Sequence, residues 1–167
     1  VLQQPQPDGR LAHTTLIKET IMPKRMIRNL LEGRALVTAS KETTVRAACR
    51  LMTERRIGAL LVVENNRIAG IFTERDALNK ILSAGLDPDA TLLGQVMASK
   101  PQTITVDKPL SHALYMMAEG GFRHVPVVDA EGVPVGMVSA RDALGQDMVD
   151  LEREIRHQEE LETAIGY

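Results

Sequence analysis

Gly70-Ile71-Phe72-Thr73-Glu74-Arg75-Asp76 returns later in the chain as Gly136-Met137-Val138-Ser139-Ala140-Arg141-Asp142. Both stretches run glycine, two apolar residues, a hydroxyl, two variable or basic positions and an aspartate. Each reads as a strand ending where a helix begins, with Thr73 or Ser139 in the N-cap position that short polar side chains favour. The agreement extends outward. A slide of 65 positions lays Thr38, Ala48, Met52, Glu54, Val62 and Val63 on Thr103, Ala113, Met117, Glu119, Val127 and Val128. One extra residue then moves the register to 66, and Gly70, Arg75, Asp76, Ala77 and Leu78 fall on Gly136, Arg141, Asp142, Ala143 and Leu144. The insertion lies between Glu64 to Arg67 and Asp129 to Val133, both polar and turn-like, where a change of length costs little. The chain is therefore a tandem repeat, the feature to read before any other.

Each copy carries the same succession of patterns. Val45, Ala48, Cys49 and Met52 have the spacing of an amphipathic helix, repeated by Leu110, Ala113, Leu114 and Met117. Apolar runs follow at Ala59 to Val63 and Val125 to Val128, then polar turns, then Ile68 to Phe72 and Val133 to Val138, which read as hairpins. Second helices are expected from near Glu74 and Ala140. Short strands are expected ahead of the first helices, at Leu36 to Ala39 and Thr103 to Val106. The fold class is mixed α/β, two β-α-β-β-α repeats. One unit of about 45 residues is too small to bury a stable core, so two packed together are the folding entity. The expected division is an arm at 1–26, partly disordered, a first repeat at 27–84, a linker and second repeat at 85–144, and a helical extension at 145–167. Leu92 to Met97 reads as a short helix leading into the second copy. Leu144, Met148, Leu151, Ile155, Gln158, Glu162 and Ile165 follow a 4/3 spacing suited to a partner seam, with two polar positions interrupting it.

Composition excludes several function classes. The 167 residues include 20 basic and 22 acidic ones, for a formal charge of −2. That balance removes the broad attraction that nucleic-acid binding needs, and Phe72, Tyr115, Phe122 and Tyr167 are too few for bases to stack on along a strand. No run approaches the roughly 18 apolar residues of a membrane span, and Val1 to Arg10 lacks the apolar core of a signal peptide. A cytoplasmic setting is the expectation. The lone Cys49 allows no intramolecular disulfide and no Cys-based zinc site; its apolar helical position reads as packing. His13, His112, His124 and His157 lack metal-ligand spacing. No serine, cysteine or aspartate is accompanied by a convincing base, so no catalytic constellation is found. The N-terminal bases Lys18, Lys24, Arg25, Arg28 and Arg34 read as a solvated flank.

The repeated segment itself suits an anionic ribonucleotide. A helix N-terminus carries unpaired N–H groups and the positive end of the helix dipole, a ready place for phosphate. The aspartate three residues into the helix can accept two hydrogen bonds from a vicinal diol such as a ribose. A hydroxyl followed by an aspartate is equally an ordinary cap, worth roughly 1 kcal/mol without any ligand. Duplication copies caps as faithfully as sites, so both readings stand.

Over roughly Ile27 to Leu144 the sequence resembles a tandem pair of cystathionine-beta-synthase (CBS) domains, also called a Bateman module. The residues that carry the resemblance are the two segments quoted first, with Arg56 to Val63 and Phe122 to Asp129. The resemblance implies a pseudo-twofold pair with strands at the interface and two clefts for adenosine-containing ligands: AMP, ADP, ATP or S-adenosylmethionine. It implies that each cleft is built across the repeat. One would combine Thr73 and Asp76 with Thr103, Phe122, Arg123, His124 and Pro126. The other would combine Ser139 and Asp142 with Val37, Ile57, Gly58 and Ala59. The first gains Arg123 and His124 beside the phosphate position, where the second has Gly58 and Ala59 and no comparable cation; it is the better phosphate site. Leu61 stands where the second copy has Pro126, a departure in the second cleft. Phe72 is expected to point into packing, and Phe122 to line a cleft.

The expected function is a stand-alone, non-catalytic regulatory sensor that needs no cofactor, binds an adenosyl ligand and forms a homodimer, with an unidentified regulated protein as a further partner. The rival is a structural or protein-interaction module that dimerises through the repeats and the C-terminal helix without a physiological nucleotide.

Overall fold

A computed structural model describes residues 25–145. The elements are α1 (Ile27–Leu31), β1 (Thr38–Ala39), α2 (Val45–Arg55), β2 (Ala59–Glu64), β3 (Arg67–Thr73) and α3 (Glu74–Asp76), which widens into a π-helical stretch over Ala77–Leu82. Then come α4 (Leu93–Val96), β4 (Ala98–Ser99), β5 (Ile104–Thr105), α5 (Leu110–Gly120), β6 (His124–Val128), β7 (Pro134–Ser139) and a 3₁₀ turn, Ala140–Ala143. The expected 4/3 seam from Met148 onward lies outside the described residues.

The strands form two sheets, ordered β1-β2-β3-β4 and β5-β6-β7. In each, the short leading strand runs parallel to its neighbour and the hairpin is antiparallel. Even the irregularity repeats: the register shifts between Val62 and Val63 and again between Val127 and Val128. The first hairpin turns on Asn65 and Asn66, both at positive φ, the backbone that a two-residue type I′ turn requires. The leading strands are shorter than the apolar runs suggested, two residues each, because only Thr38 and Ala39, and Ile104 and Thr105, pair with the hairpin strand beside them. The second helix of the first copy is π-wound beyond Asp76, which periodicity does not distinguish from an α-helix.

Two cores fill the fold. Val45, Ala48, Met52, Leu60, Val62, Phe72 and Ile81 are buried together in the first repeat, as expected for Phe72, which is fully enclosed. Leu110, Ala113, Met117, Val125, Val127 and Val138 form the second. Leu93 and Val96 of α4, which precedes the second repeat, complete the first core, and Ile27 of α1 completes the second. The leading helices are thus exchanged between repeats. Backbone bonds fix the exchange: the Leu93 amide donates to the Thr43 carbonyl at 2.9 Å, and the Ile27 amide to the Lys108 carbonyl at 3.0 Å.

This exchange explains the glycine that opens each repeated segment. A Cβ on Gly70 would lie 2.5 Å from Met97 Sδ and 2.8 Å from the Ala98 carbonyl; one on Gly136 would lie 2.5 Å from Leu31 Cδ1. The glycines admit the exchanged segment of the neighbouring repeat. A third apolar cluster, Ala59, Leu61 and Ile71 with Met137 packed on it, joins the two repeats through their strands.

Candidate functional site

Thr73 ends β3 and caps α3. Its amide donates to Asp76 Oδ2 at 2.9 Å, its hydroxyl donates to the same oxygen at 2.7 Å, and the Asp76 amide donates back to Thr73 Oγ1 at 3.2 Å. The other carboxylate oxygen, Oδ1, accepts from Lys80 Nζ at 2.8 Å, one turn further along the same helix. These bonds fix the aspartate at the helix start.

Beside this turn lies a cavity of about 260 Å³ built from both repeats. Thr73, Glu74, Arg75 and Asp76 form one wall, and Phe122, Arg123 and His124 of the other repeat face them. Ile71, Ala98 and Pro101 supply apolar surface, with Gly58 and Gln102 at the edges. Arg75 spans the two repeats, its guanidinium donating to the Gly121 carbonyl at 3.3 Å. His124 is held below the ordinary imidazole value of 6.5, chiefly by burial and then by the positive charge of Arg123, so the ring is neutral near pH 7. Two guanidiniums, a neutral imidazole, a helix N-terminus and an apolar wall make a polar-apolar cleft suited to a ring system carrying an anion.

Thr73, Asp76, Phe122, Arg123 and His124 are therefore brought together around one cavity. Two residues expected with them are not. Pro126 is enclosed within β6, opposite Met137 on β7, and Thr103 precedes β5 while the neighbouring Pro101 and Gln102 line the cavity. Glu74 and Ala98 are lining residues that the sequence reading passed over, and Gly58 is one expected in the second cleft; only the repeat register and the strand-to-helix turn hinted at the first two. Gly58 belongs here because its carbonyl accepts the Glu74 amide at 3.0 Å, and a Cβ on it would stand 3.1 Å from the Glu74 carboxylate.

The residues expected around the second cleft disperse. Ser139 and Asp142 do meet: the Ser139 amide and hydroxyl donate to Asp142 Oδ2 at 2.7 and 3.1 Å. Ile57, however, packs on the first core, Ala59 is buried at the seam between repeats, and Gly58 lines the first cavity. Val37 contributes its carbonyl to the Leu61 amide at 3.4 Å. A cation absent from the sequence expectation does reach this cleft: Arg34 Nη1 lies 2.6 Å from Asp142 Oδ1.

A larger groove, about 830 Å³, runs between α2 and the π-helical stretch, lined by Arg46, Cys49, Arg50, Leu78, Leu82 and Leu86 among others. Burial raises the Cys49 thiol above its usual value, which keeps it protonated and unsuited to nucleophilic work. No helix among the described residues is long and apolar enough to cross a membrane.

Comparison with known proteins agrees with the repeat. The CBS domain family matches residues 26–83 and 93–147. CBS domain-containing protein CBSCBSPB2 of Arabidopsis thaliana is 32% identical over 161 residues, 96% of this chain and 29% of the relative. CBS domain-containing protein CBSX3, mitochondrial, of the same organism is 34% identical over 131 residues, 75% of this chain and 60% of the relative. The chain thus spans less than two thirds of either relative's length. Among solved structures, a putative signal-transduction protein with CBS domains from Burkholderia ambifaria superposes with a TM-score of 0.69 at 32% identity, covering 75% of this chain and 95% of the other. A CBS domain protein from Pyrobaculum aerophilum complexed with AMP gives a TM-score of 0.67 at 26% identity, over 76% and 96% of the two chains. Two matched units, the duplicated strand-to-helix turn and the shared architecture lead to one conclusion: this chain belongs to the CBS-domain family, as a tandem pair.

Proposed function

We propose that the chain is a non-catalytic regulatory CBS pair whose cleft at Thr73 and Asp76 takes an adenosyl ligand: AMP, ADP, ATP or a relative such as S-adenosylmethionine. The observation that carries this reading is the convergence, on one cavity, of the Asp76 carboxylate from one repeat with Phe122, Arg123 and His124 from the other. In this reading Asp76 accepts the ribose diol, the Thr73 helix start and Arg123 hold phosphate, and Phe122 with Ile71 walls the base. The AMP complex of the Pyrobaculum aerophilum protein supports the ligand class. Because both repeats line the cavity, occupancy stabilises one arrangement of the pair, by as much as the ligand's affinity differs between arrangements. Dye-based melting with a panel of adenine nucleotides and S-adenosylmethionine tests it: a rise in melting temperature in the wild type that Asp76→Ala reduces supports the reading, and none across the panel refutes it.

A homodimer completes the proposal, in a cytoplasmic setting. Leu78, Leu82 and Leu86 are 56, 74 and 46% exposed along the larger groove, an apolar face of the kind that associating proteins bury. The rival interaction-module reading draws on the capping bonds, which satisfy both aspartates with no ligand at all.

A further inference from the structure

The two clefts differ in what meets the aspartate. Leu31 meets Gly136 as Met97 meets Gly70, an offset of 66 between the exchanged segments that sets Arg34 level with Lys100, on the Ala98 to Gln102 segment beside the first cavity. Arg34 thus stands on the equivalent edge of the second cleft, and its guanidinium reaches Asp142 across 108 residues of sequence. Asp142 is 8% exposed, with Oδ2 taken by Ser139 and Oδ1 by Arg34. A ribose diol needs acceptors on this carboxylate, and the guanidinium holds the one oxygen that Ser139 leaves. Asp76 differs: the lysine on its Oδ1 comes from its own helix and is not among the residues lining the cavity, whereas Asp76 is.

The placement of Arg34 is built in. The Arg34 amide donates to the Leu31 carbonyl at 3.0 Å, closing α1, and α1 is anchored by the fully buried Ile27 in the second core. Leu31 of the same helix lies against Gly136, the opening glycine of the second segment. The backbone bearing Arg34 is therefore fixed by packing before any ligand arrives. A charge-assisted pair to a nearly enclosed carboxylate is also costly to break on one side only.

We propose that Arg34 acts as an internal occupant of the second cleft, so that the chain takes one adenosyl ligand where a two-cleft pair would take two; this rests on the ligand reading given above. The experiment is calorimetric titration of the full chain with AMP. One site per chain is expected for the wild type and two for Arg34→Gln, with Arg34→Met as the replacement if the Gln variant melts early. Asp76→Ala is expected to abolish binding in the wild type and to leave one site in the Arg34→Gln background. Two sites in the wild type, or one site in a folded Arg34 variant, overturns the proposal while leaving the ligand reading intact. Absence of binding in wild type and variants alike overturns both.

Discussion

The Thr73 hydroxyl and the Asp76 carboxylate are joined at 2.7 Å, while the Asp76 amide returns a bond to the same hydroxyl at 3.2 Å. The pair is a complete helix cap and also the centre of the cavity wall, so one substitution is read in two ways. Asp76→Ala leaves the Thr73 hydroxyl on the residue-76 amide but removes the reciprocal half of the cap and the Lys80 pair, and is expected to cost about 1 kcal/mol of stability in urea unfolding. A purely structural role ends there. With a ribose on this carboxylate, AMP affinity is expected in addition to fall by at least tenfold in the folded variant, measured by calorimetry.

His124 makes the cleft sensitive to pH. Its imidazole is depressed by burial and by Arg123, so the folded protein binds this proton less readily than the unfolded chain does. Stability from this group is fully present above the ordinary value of 6.5 and is lost as pH falls from there through the lower value of the folded protein. A phosphate beside the ring has the opposite preference and favours imidazolium. AMP affinity is therefore expected to rise as pH falls from about 7.5 to 6, by up to about tenfold per unit for a single linked proton. His124→Asn should flatten both the affinity profile and the acid side of the stability profile; an unchanged pH slope would remove His124 from the site.

The opening glycines differ in what crowds them. An alanine Cβ at position 70 meets the Ala98 carbonyl, which is backbone, as well as Met97, whereas at position 136 its three nearest neighbours are all atoms of the Leu31 side chain. Gly70→Ala is expected to destabilise by about 1–3 kcal/mol, and Gly136→Ala by less, because a side chain yields more easily than a strand. Urea unfolding of the two variants checks the order.

The exchanged helices predict a cooperative fold. Ile27 and Leu93 are fully buried, each in the core of the repeat it does not adjoin in sequence. Truncating either to alanine is expected to cost about 2–5 kcal/mol. Unfolding should remain a single transition seen by both far-ultraviolet dichroism and tyrosine fluorescence. Two separated transitions would mean that the repeats fold independently.

Much of the architecture was legible because duplication prints every pattern twice. The periodicities at Val45 to Met52 and Leu110 to Met117 mark real helices, and the apolar runs at Ala59 and Val125 mark real hairpin strands. Periodicity says which face of Ile27 to Leu31 is apolar but not which core it enters, so the exchange of α1 and α4 was hidden. Arg34 was hidden for the same reason: a basic residue outside any pattern reads as solvated until folding brings Asp142 to it. Gly58 went to the wrong cleft because a backbone contact to Glu74, with no side chain to signal it, decides its place. Phe72 was placed in advance, since residues alternate faces along a strand and Thr73 beside it ends at the turn; Phe122, ahead of β6, was assigned to a cleft only by its match to Ile57.

The central claim is that the Asp76 carboxylate holds a ribose in the cavity shared by the two repeats. Calorimetric titration of the wild-type chain with AMP and with its 2',3'-dideoxy counterpart tests it directly. Hydrogen bonds to a charged acceptor contribute about 1.5–3 kcal/mol each, so the dideoxy nucleotide is expected to bind at least tenfold more weakly. Equal affinities for the two sugars would contradict the account.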